Sequence, residues 1–462
     1  MKNKTLSKTF VVLLSLLMIL SISSAGANVV EQGIAVENPS GPVMNSVMSV
    51  ASTSLAPVVT ETGKISLSID GYGDHLTPVG SIDVEKPAGA TVRSAYLLTA
   101  SLWSGNEIPD GGVTLAGFPV NWDDVVIGTY SGAPHNHRAD VTNIVKPIVD
   151  AAPAGRISIP IEESDVRNVE GNILAVIFDD PNQVEDNTVV LLFGAQSITG
   201  DMFNITLAEP VDKTDPNFAL DMSLGISFGF QPSNQYSIVN VNGLRLTSSA
   251  GGYDDGTDYD GGLITVGGLD DSNANPADPN APPGNSRSDD ELYDLIPFVN
   301  DGDTGINVFT QNPSNDDNIY FAAFFMGSTN AIVGEGILLS PDSAINNLGE
   351  SHEVTATVQD DNGAAVTGTM VHFEIASGPN AGTTADVLTD TNGEASFSFT
   401  SQSVGTDVIV ASFFNSQQEL VLSNEVTKKW IVSEEIPEFP TIALPVMAVL
   451  GLMFLTMRRR EE

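Results

Sequence analysis

No cysteine occurs anywhere in the 462 residues, which removes disulfide frameworks, thiol catalysis, iron–sulfur clusters and cysteine-ligated zinc at once. Basic side chains are also scarce. Eighteen lysines and arginines stand against 59 aspartates and glutamates, a formal charge of −41. A field of that sign repels phosphate backbones, so nucleic-acid partners are excluded. Only three tryptophans occur, few for a carbohydrate-stacking platform. The hydrophobic content of 41% still builds real cores, which rules out a disordered acidic polymer. At roughly 150 residues per domain, the length allows about three pieces.

Both ends read as address labels. Lys2, Lys4 and Lys8 form a positive leader, followed by an apolar run from Phe10 to Ile22 and a small-residue cleavage site, Ala25-Gly26-Ala27, before Asn28. This is the order of a secretory signal over 1–27, read by a signal peptidase. An uncleaved N-terminal anchor is the alternative. At the other end, Ile436-Pro437-Glu438-Phe439-Pro440 precedes an apolar run over 441–457 and then Arg458, Arg459 and Arg460. At 1.5 Å per helical residue the run spans about 25 Å, enough for a thin bilayer. The arginines place the 458–462 tail on the cytoplasmic side and the body outside. Loss of both labels leaves an exported body more acidic still, which screening by salt would relieve. A saline habitat is therefore a hypothesis. A melting temperature indifferent to added salt counts against it.

The tail resembles the PEF-type C-terminal sorting signal of archaeal surface proteins, on the motif Pro437-Glu438-Phe439-Pro440, the single span and the basic terminus. The resemblance implies an archaeosortase-like processing enzyme, cleavage near the motif and transfer to a lipid. Pro437 and Pro440 deny the segment regular hydrogen bonding, which keeps it extended for such an enzyme. A permanent transmembrane anchor is the other reading.

Between the labels the sequence is all-β. Residues 28–60 read as a flexible lead-in. Over 61–332, Ile65-Leu67-Ile69 alternates, while 173–178, 189–193 and 319–325 are continuous apolar runs. The spacing predicts two short helices. One covers Asp140 to Ala151, with Asp140 as cap, and the other Asp289 to Val299, with Leu292, Leu295, Ile296 and Val299 on one face. A single jelly-roll-like β-sandwich of roughly ten strands is expected, interrupted by an Asp/Gly/Asn/Pro-rich insertion over 250–304. From 333 to 432, short alternating strands are separated by Asp361-Asn362-Gly363, Asp390-Thr391-Asn392-Gly393 and similar turns. That rhythm predicts an immunoglobulin-like sandwich without its disulfide. A linker over 433–440 and a C-terminal transmembrane helix over 441–457 follow.

The order Val358 to Gly363, Val371-His372-Phe373, Thr389 to Gly393 and Gly405-Thr406-Asp407 is similar to the bacterial Ig-like group 1 domain of the invasin and intimin adhesins. The resemblance implies the fold and a stalk role. The larger domain, on Asn172 to Pro181, Asp289 to Leu295 and Asn312 to Asn318, resembles an uncharacterised secreted β-domain of proteins with sorting tails. It implies location only.

No cofactor is required; calcium is the best ligand candidate, and a solvated acidic loop is the other reading. Asp254, Asp255, Asp258, Asp260, Asp270, Asp271, Asp289, Asp290, Asp316 and Asp317 offer hard oxygens from several loops. EF-hand spacing fails at Gly256. Gly225-Ile226-Ser227-Phe228-Gly229 matches a nucleophile pattern, yet the surrounding alternation puts Ser227 inside a strand, without the required sharp turn. His135-Asn136-His137 offers two imidazoles on one face, with Asp140 as a third ligand for zinc, or simply a polar loop before a helix. Glu162 and Glu163, adjacent on a strand, face opposite ways. Asn204-Ile205-Thr206 is a glycosylation sequon. The reading is a non-enzymatic cell-surface protein with a structural, adhesive or ligand-presenting role, its partners the membrane and envelope glycans or surface-layer proteins. A glycan-binding module is the alternative, and a surface hydrolase the third.

Overall fold

The structure is a computed structural model, described for residues 54–74, 77–102, 105–128, 132–227, 236–251, 264–281, 291–315, 318–432 and 440–459, the side chains of 440–446 excepted. The expected signal, most of the lead-in and the linker lie outside these residues.

The large body is four β-layers rather than one sandwich. The first layer pairs Val79–Lys86, Gly155–Glu163, Val113–Leu115 and Phe118–Pro119 in that order. The second runs Ile65–Tyr72, Val169–Asp179, Thr91–Ser101, His135–Asp140, Asp124–Ile127. The third runs Ala56–Gly63, Asn187–Phe193, Asn318–Gly327, Ala219–Ser227, Ile264–Val266, with Leu292–Asp294 also on Ala219–Ser227. The fourth runs Leu244–Ala250, Ser237–Val241, Gly305–Gln311, Asp201–Leu207, Ala331–Val333.

Three cores separate these layers. Ile82, Val84, Ile159 and Ile161 of the first layer meet Leu97, Leu174, Val176 and Phe178 of the second. On its other face the second layer gives Ile173, Ala175 and Ile177 to a core with Val189, Leu191 and Phe321 of the third. The third layer then gives Val190, Leu192, Leu224 and Phe324 to a core with Phe203, Ile205, Val239 and Val308 of the fourth. The continuous apolar runs thus have a physical cause. A strand in a middle layer buries both faces, so both alternating sets must be apolar. Each such side chain gains about 1.5–3 kcal/mol on burial.

Several expectations shift. The strand Ala56–Gly63 begins inside the expected lead-in. The first helix forms as Thr142–Ala151, with Val141 at the capping position and no side-chain cap. Asp140 Oδ1 still accepts from Thr142 N at 2.8 Å. Lys86 Nζ closes the helix's other end on the carbonyls of Val149, Asp150 and Ala152 at 2.9, 3.1 and 2.8 Å, as a cation does at a helix C-terminus. The second helix does not form. Leu292–Asp294 is a strand and Ile296–Phe298 a single 3₁₀ turn. Asp294 Oδ1 takes the Ile296 N–H and Pro297 has none to give, so the chain turns where helical spacing promised continuation. His135–Asp140 is a strand, not a loop.

The Ig-like module is a two-layer sandwich. Gly336–Ser340, Ser351–Gln359 and Glu394–Thr400 face a sheet of Ser343–Asn347, Val426–Ile431, Gly405–Phe414, Met370–Ser377 and Thr384–Leu388, with Leu420–Leu422 on Gly405–Phe414. Val354, Val371, Phe373, Ile409 and Trp430 fill one core between them. It joins the body along the fourth layer: Thr206 Oγ1 donates to Gln359 Oε1 at 2.5 Å, Gln359 Nε2 to Gly334 O at 2.7 Å, and Asp342 N to Glu209 Oε1 at 3.2 Å.

The tail is helical over Pro440–Arg458. Proline at a first helical position costs nothing, since its missing N–H has no partner there anyway. Among the described residues no helix is long and apolar enough to cross a membrane, so the expected transmembrane helix is met only as a C-terminal helix.

Candidate functional site

The strand register brings the residues that flank the acidic segments to one end of the body. Tyr72, Asn172 and Thr99 stand at one level of the second layer, beside the Ala100–Asn136 pair. Asn136 Nδ2 donates across to Gly194 O at 2.7 Å, and Asn318 Nδ2 donates to Asn136 Oδ1 and Ser227 Oγ, both at 2.8 Å. Those bonds bring the same end of the third layer level with the second. In the fourth layer, Ser237 pairs with Ala250 and Asp201 with Thr310. The segments after Tyr72, Ser101, Ile127, Ser227 and Ala250, and before Asn318, therefore leave from one end. The Ig-like module continues from the other, past Glu209 and Asp342.

Asp254, Asp255, Asp258, Asp260, Asp289, Asp290, Asp316 and Asp317 fall in segments outside the described residues, rooted at this end. Glu291 ties three of the roots. Its Oε1 accepts from Gly251 N at 2.7 Å and its Oε2 from Thr265 Oγ1, and it is fully buried at φ +54°. Sequence reasoning placed this residue on a helix and missed that role. Asp270 and Asp271 belong elsewhere. Arg156 holds Asp270, near the opposite end of the strand Gly155–Glu163, and Asp271 Oδ2 accepts from Gly268 N at 2.6 Å. Among the described residues no three acidic or imidazole side chains are grouped to hold a metal ion.

The same end buries carboxylates. Glu162 is exposed and Glu163 entirely buried, as strand alternation requires. Glu163 Oε1 accepts from Asn172 Nδ2 at 2.6 Å, and Asn172 Oδ1 from Thr99 Oγ1 at 2.6 Å. Burial pushes the Glu163 carboxyl up to about 8, the Asn172 bond opposes this, and Asp74 and Glu170 add to the rise. At neutral pH it is held largely as the uncharged acid.

Among the described residues no catalytic set assembles around the candidate nucleophile. Ser227 is buried at the end of its strand, and its Oγ accepts from Asn318, so its partner is an amide rather than a base. Both His137 nitrogens are engaged: Nε2 accepts from Ile108 N at 3.0 Å, which leaves Nδ1–H to donate to His135 O at 3.1 Å. Burial, with His135 adding to it, lowers His137 to about 4. That imidazole is a structural group, not a zinc ligand. Asn204 Nδ2, the atom a glycan would occupy, donates to Asn362 O at 2.7 Å across the module junction. Trp430 is buried and Trp122 packs against the first core, so neither offers a platform to a sugar.

Comparison with known proteins agrees with two of the three resemblances, those of the Ig-like module and the tail. Residues 337–428 match the bacterial Ig-like domain (group 1), and residues 436–460 match the PEF-CTERM archaeal protein sorting domain. The chain thus joins an Ig-like module of a non-catalytic type to an archaeal surface-sorting tail. Pro437, Glu438 and Phe439 lie outside the described residues; Pro440 opens the terminal helix and Arg458 ends it. No curated protein matches. Among solved structures, a putative membrane anchored protein from Corynebacterium diphtheriae aligns at 12% identity over 75% of this chain and 61% of its own, with a TM-score of 0.19. The pilus backbone from Streptococcus pneumoniae aligns at 7% identity over 76% of this chain and 90% of its own, with a TM-score of 0.14. The chain spans 61% of the first of these. Neither score supports a shared overall fold.

Proposed function

We propose that this is an exported, surface-anchored, non-enzymatic protein that presents its acidic loop end outward, for envelope structure, adhesion or ligand display. The observation that supports the reading is the strand register, which sets the residues flanking the acidic segments at the end of the body away from the Ig-like module. The sorting tail, ending in Arg458, Arg459 and Arg460, holds the protein at the membrane until an archaeosortase-type enzyme exchanges it for a lipid. Calcium, where the outer aspartates take it, orders the presented face.

The test is intact mass and membrane partitioning of the protein from its native cells. A membrane-bound species ending near Pro437 to Pro440 with a lipid increment supports processing and anchoring together. A membrane-bound species running through Glu462 supports the anchor alone. A water-soluble chain confined to the cytoplasm defeats the reading.

A further inference from the structure

The described residues bury two lysines, Lys86 and Lys428. Lys86 is accounted for by three carbonyls at a helix end. Lys428 is not. It occupies an inward position of the strand Val426–Ile431, between Val426 and Trp430, and is 0% exposed. Its Nζ lies 5.2 Å from the Trp430 ring centroid and donates to Oδ1 of Asn346. Asn346 sits on the adjoining parallel strand Ser343–Asn347, where Ala344 registers with Lys428. The Asn346 carboxamide is held at both ends, because its Nδ2 donates to Ser351 O at 2.8 Å. The ammonium therefore faces a neutral amide instead of a carboxylate, an unfavourable place for a buried charge.

We propose that Lys428 and Asn346 form an intramolecular isopeptide bond once the module has folded. The neutral amine attacks Cγ of Asn346, the Nζ–Cγ bond forms and the Cγ–Nδ2 bond breaks. One Nζ proton passes to the departing nitrogen, which leaves as ammonia. No oxidant, reductant or cofactor enters the balance. Burial holds the Lys428 ammonium below the ordinary lysine range, with Glu350 pulling the other way, so the nucleophilic form is accessible. Glu350, whose charge acts on Lys428, is held by Asn347, whose N and Nδ2 donate to its two oxygens at 2.8 and 3.1 Å. Fixing amine and amide on adjacent strands supplies the high effective concentration that an unassisted aminolysis lacks. The product replaces a buried charge with a neutral amide and ties the first strand of its sheet to the last, in a chain that has no cysteine for the purpose.

Digestion of the unfolded full chain at glutamates tests this directly, since it yields fragments 336–350 and 426–434. The expected result is one branched species, lighter than the sum of the two by one ammonia. Lys428→Met and Asn346→Ala should each return the two fragments separately at their full masses. Separate fragments from the unsubstituted chain overturn the proposal, whatever the variants do. Both fragments lie ahead of the sorting motif, so failure here is distinguishable from failure of the anchoring reading.

Discussion

The Ig-like module and the body are built from the same antiparallel ladders, yet they distribute apolar residues in opposite ways. In the module strand Ser351–Gln359, His352, Val354, Ala356 and Val358 point inward while Glu353, Thr355 and Thr357 take the other side. In the body strand Val169–Asp179 every residue except the last is buried. The module has one core, so half of each strand suffices. The body has three cores between four layers, so its middle strands are apolar on both faces. The periodicity of a strand therefore reports how many layers lie against it.

The sharpest way to break this comparison is to remove neighbouring side chains. Ile173→Ala and Leu174→Ala should each cost about 2–5 kcal/mol, because each hollows a different core. In the module, Phe373→Ala should cost about 3–5 kcal/mol while the adjacent Glu374→Ala stays within about 0.5 kcal/mol. Urea unfolding of the full chain measures both pairs, and a silent Leu174→Ala would remove the four-layer architecture.

Glu163 sharpens the contrast through pH. The folded carboxyl is pushed up to about 8 against an ordinary 4.5, so the folded protein keeps a proton that the unfolded chain releases. Its contribution to stability is complete below pH 4.5 and is lost as pH rises through 8, with a slope of up to about 1.4 kcal/mol per unit. Glu163→Gln should flatten melting temperature against pH over that window, and an unchanged slope would show that the carboxyl is not buried.

Acid acts on both regions alike. His137 in the body and His352 in the module are each lowered from 6.5 to about 4, mainly by burial. Each supports a stability that is present above pH 6.5 and lost as pH falls through 4. Thermal melts of His137→Gln and His352→Gln should lose part of the decline over that range. The smallest effect belongs to Arg156→Gln. Its bond to Asp270 is solvent-exposed, and the melting temperature should stay where it is.

The module's rhythm was legible, because alternation and Asp-Asn-Gly turns are local signals, whereas short strands such as Ser343–Asn347 and Thr384–Leu388 were not. The body's strands were legible at 173–178, 189–193 and 319–325, but not the stacking of their sheets. A continuous run fixes the burial of both faces without naming what covers them. Leu292, Leu295, Ile296 and Val299 mimicked a helical face, and Pro297 with the Asp294 turn was the local signal against it. The opposite facing of Glu162 and Glu163 was readable, whereas Glu291 at the loop roots depended on contacts far along the chain. Lys428 did carry a signal: a lysine in an inward slot between Val426 and Trp430.

One arrangement in the module has a mechanical consequence. The strands Ser343–Asn347 and Val426–Ile431 are parallel, with five residue pairs in register. The first is reached from the body at its N-terminal end, and the second departs toward the tail at its C-terminal end. A pull between body and tail therefore grips the two strands at opposite tips and loads all five pairs in shear. On its hydrogen bonds alone, before any covalent tie between Lys428 and Asn346, a ladder pulled that way must slide as a unit instead of unzipping pair by pair. Drag on the outer body thus meets its stiffest resistance where the chain turns toward its anchor.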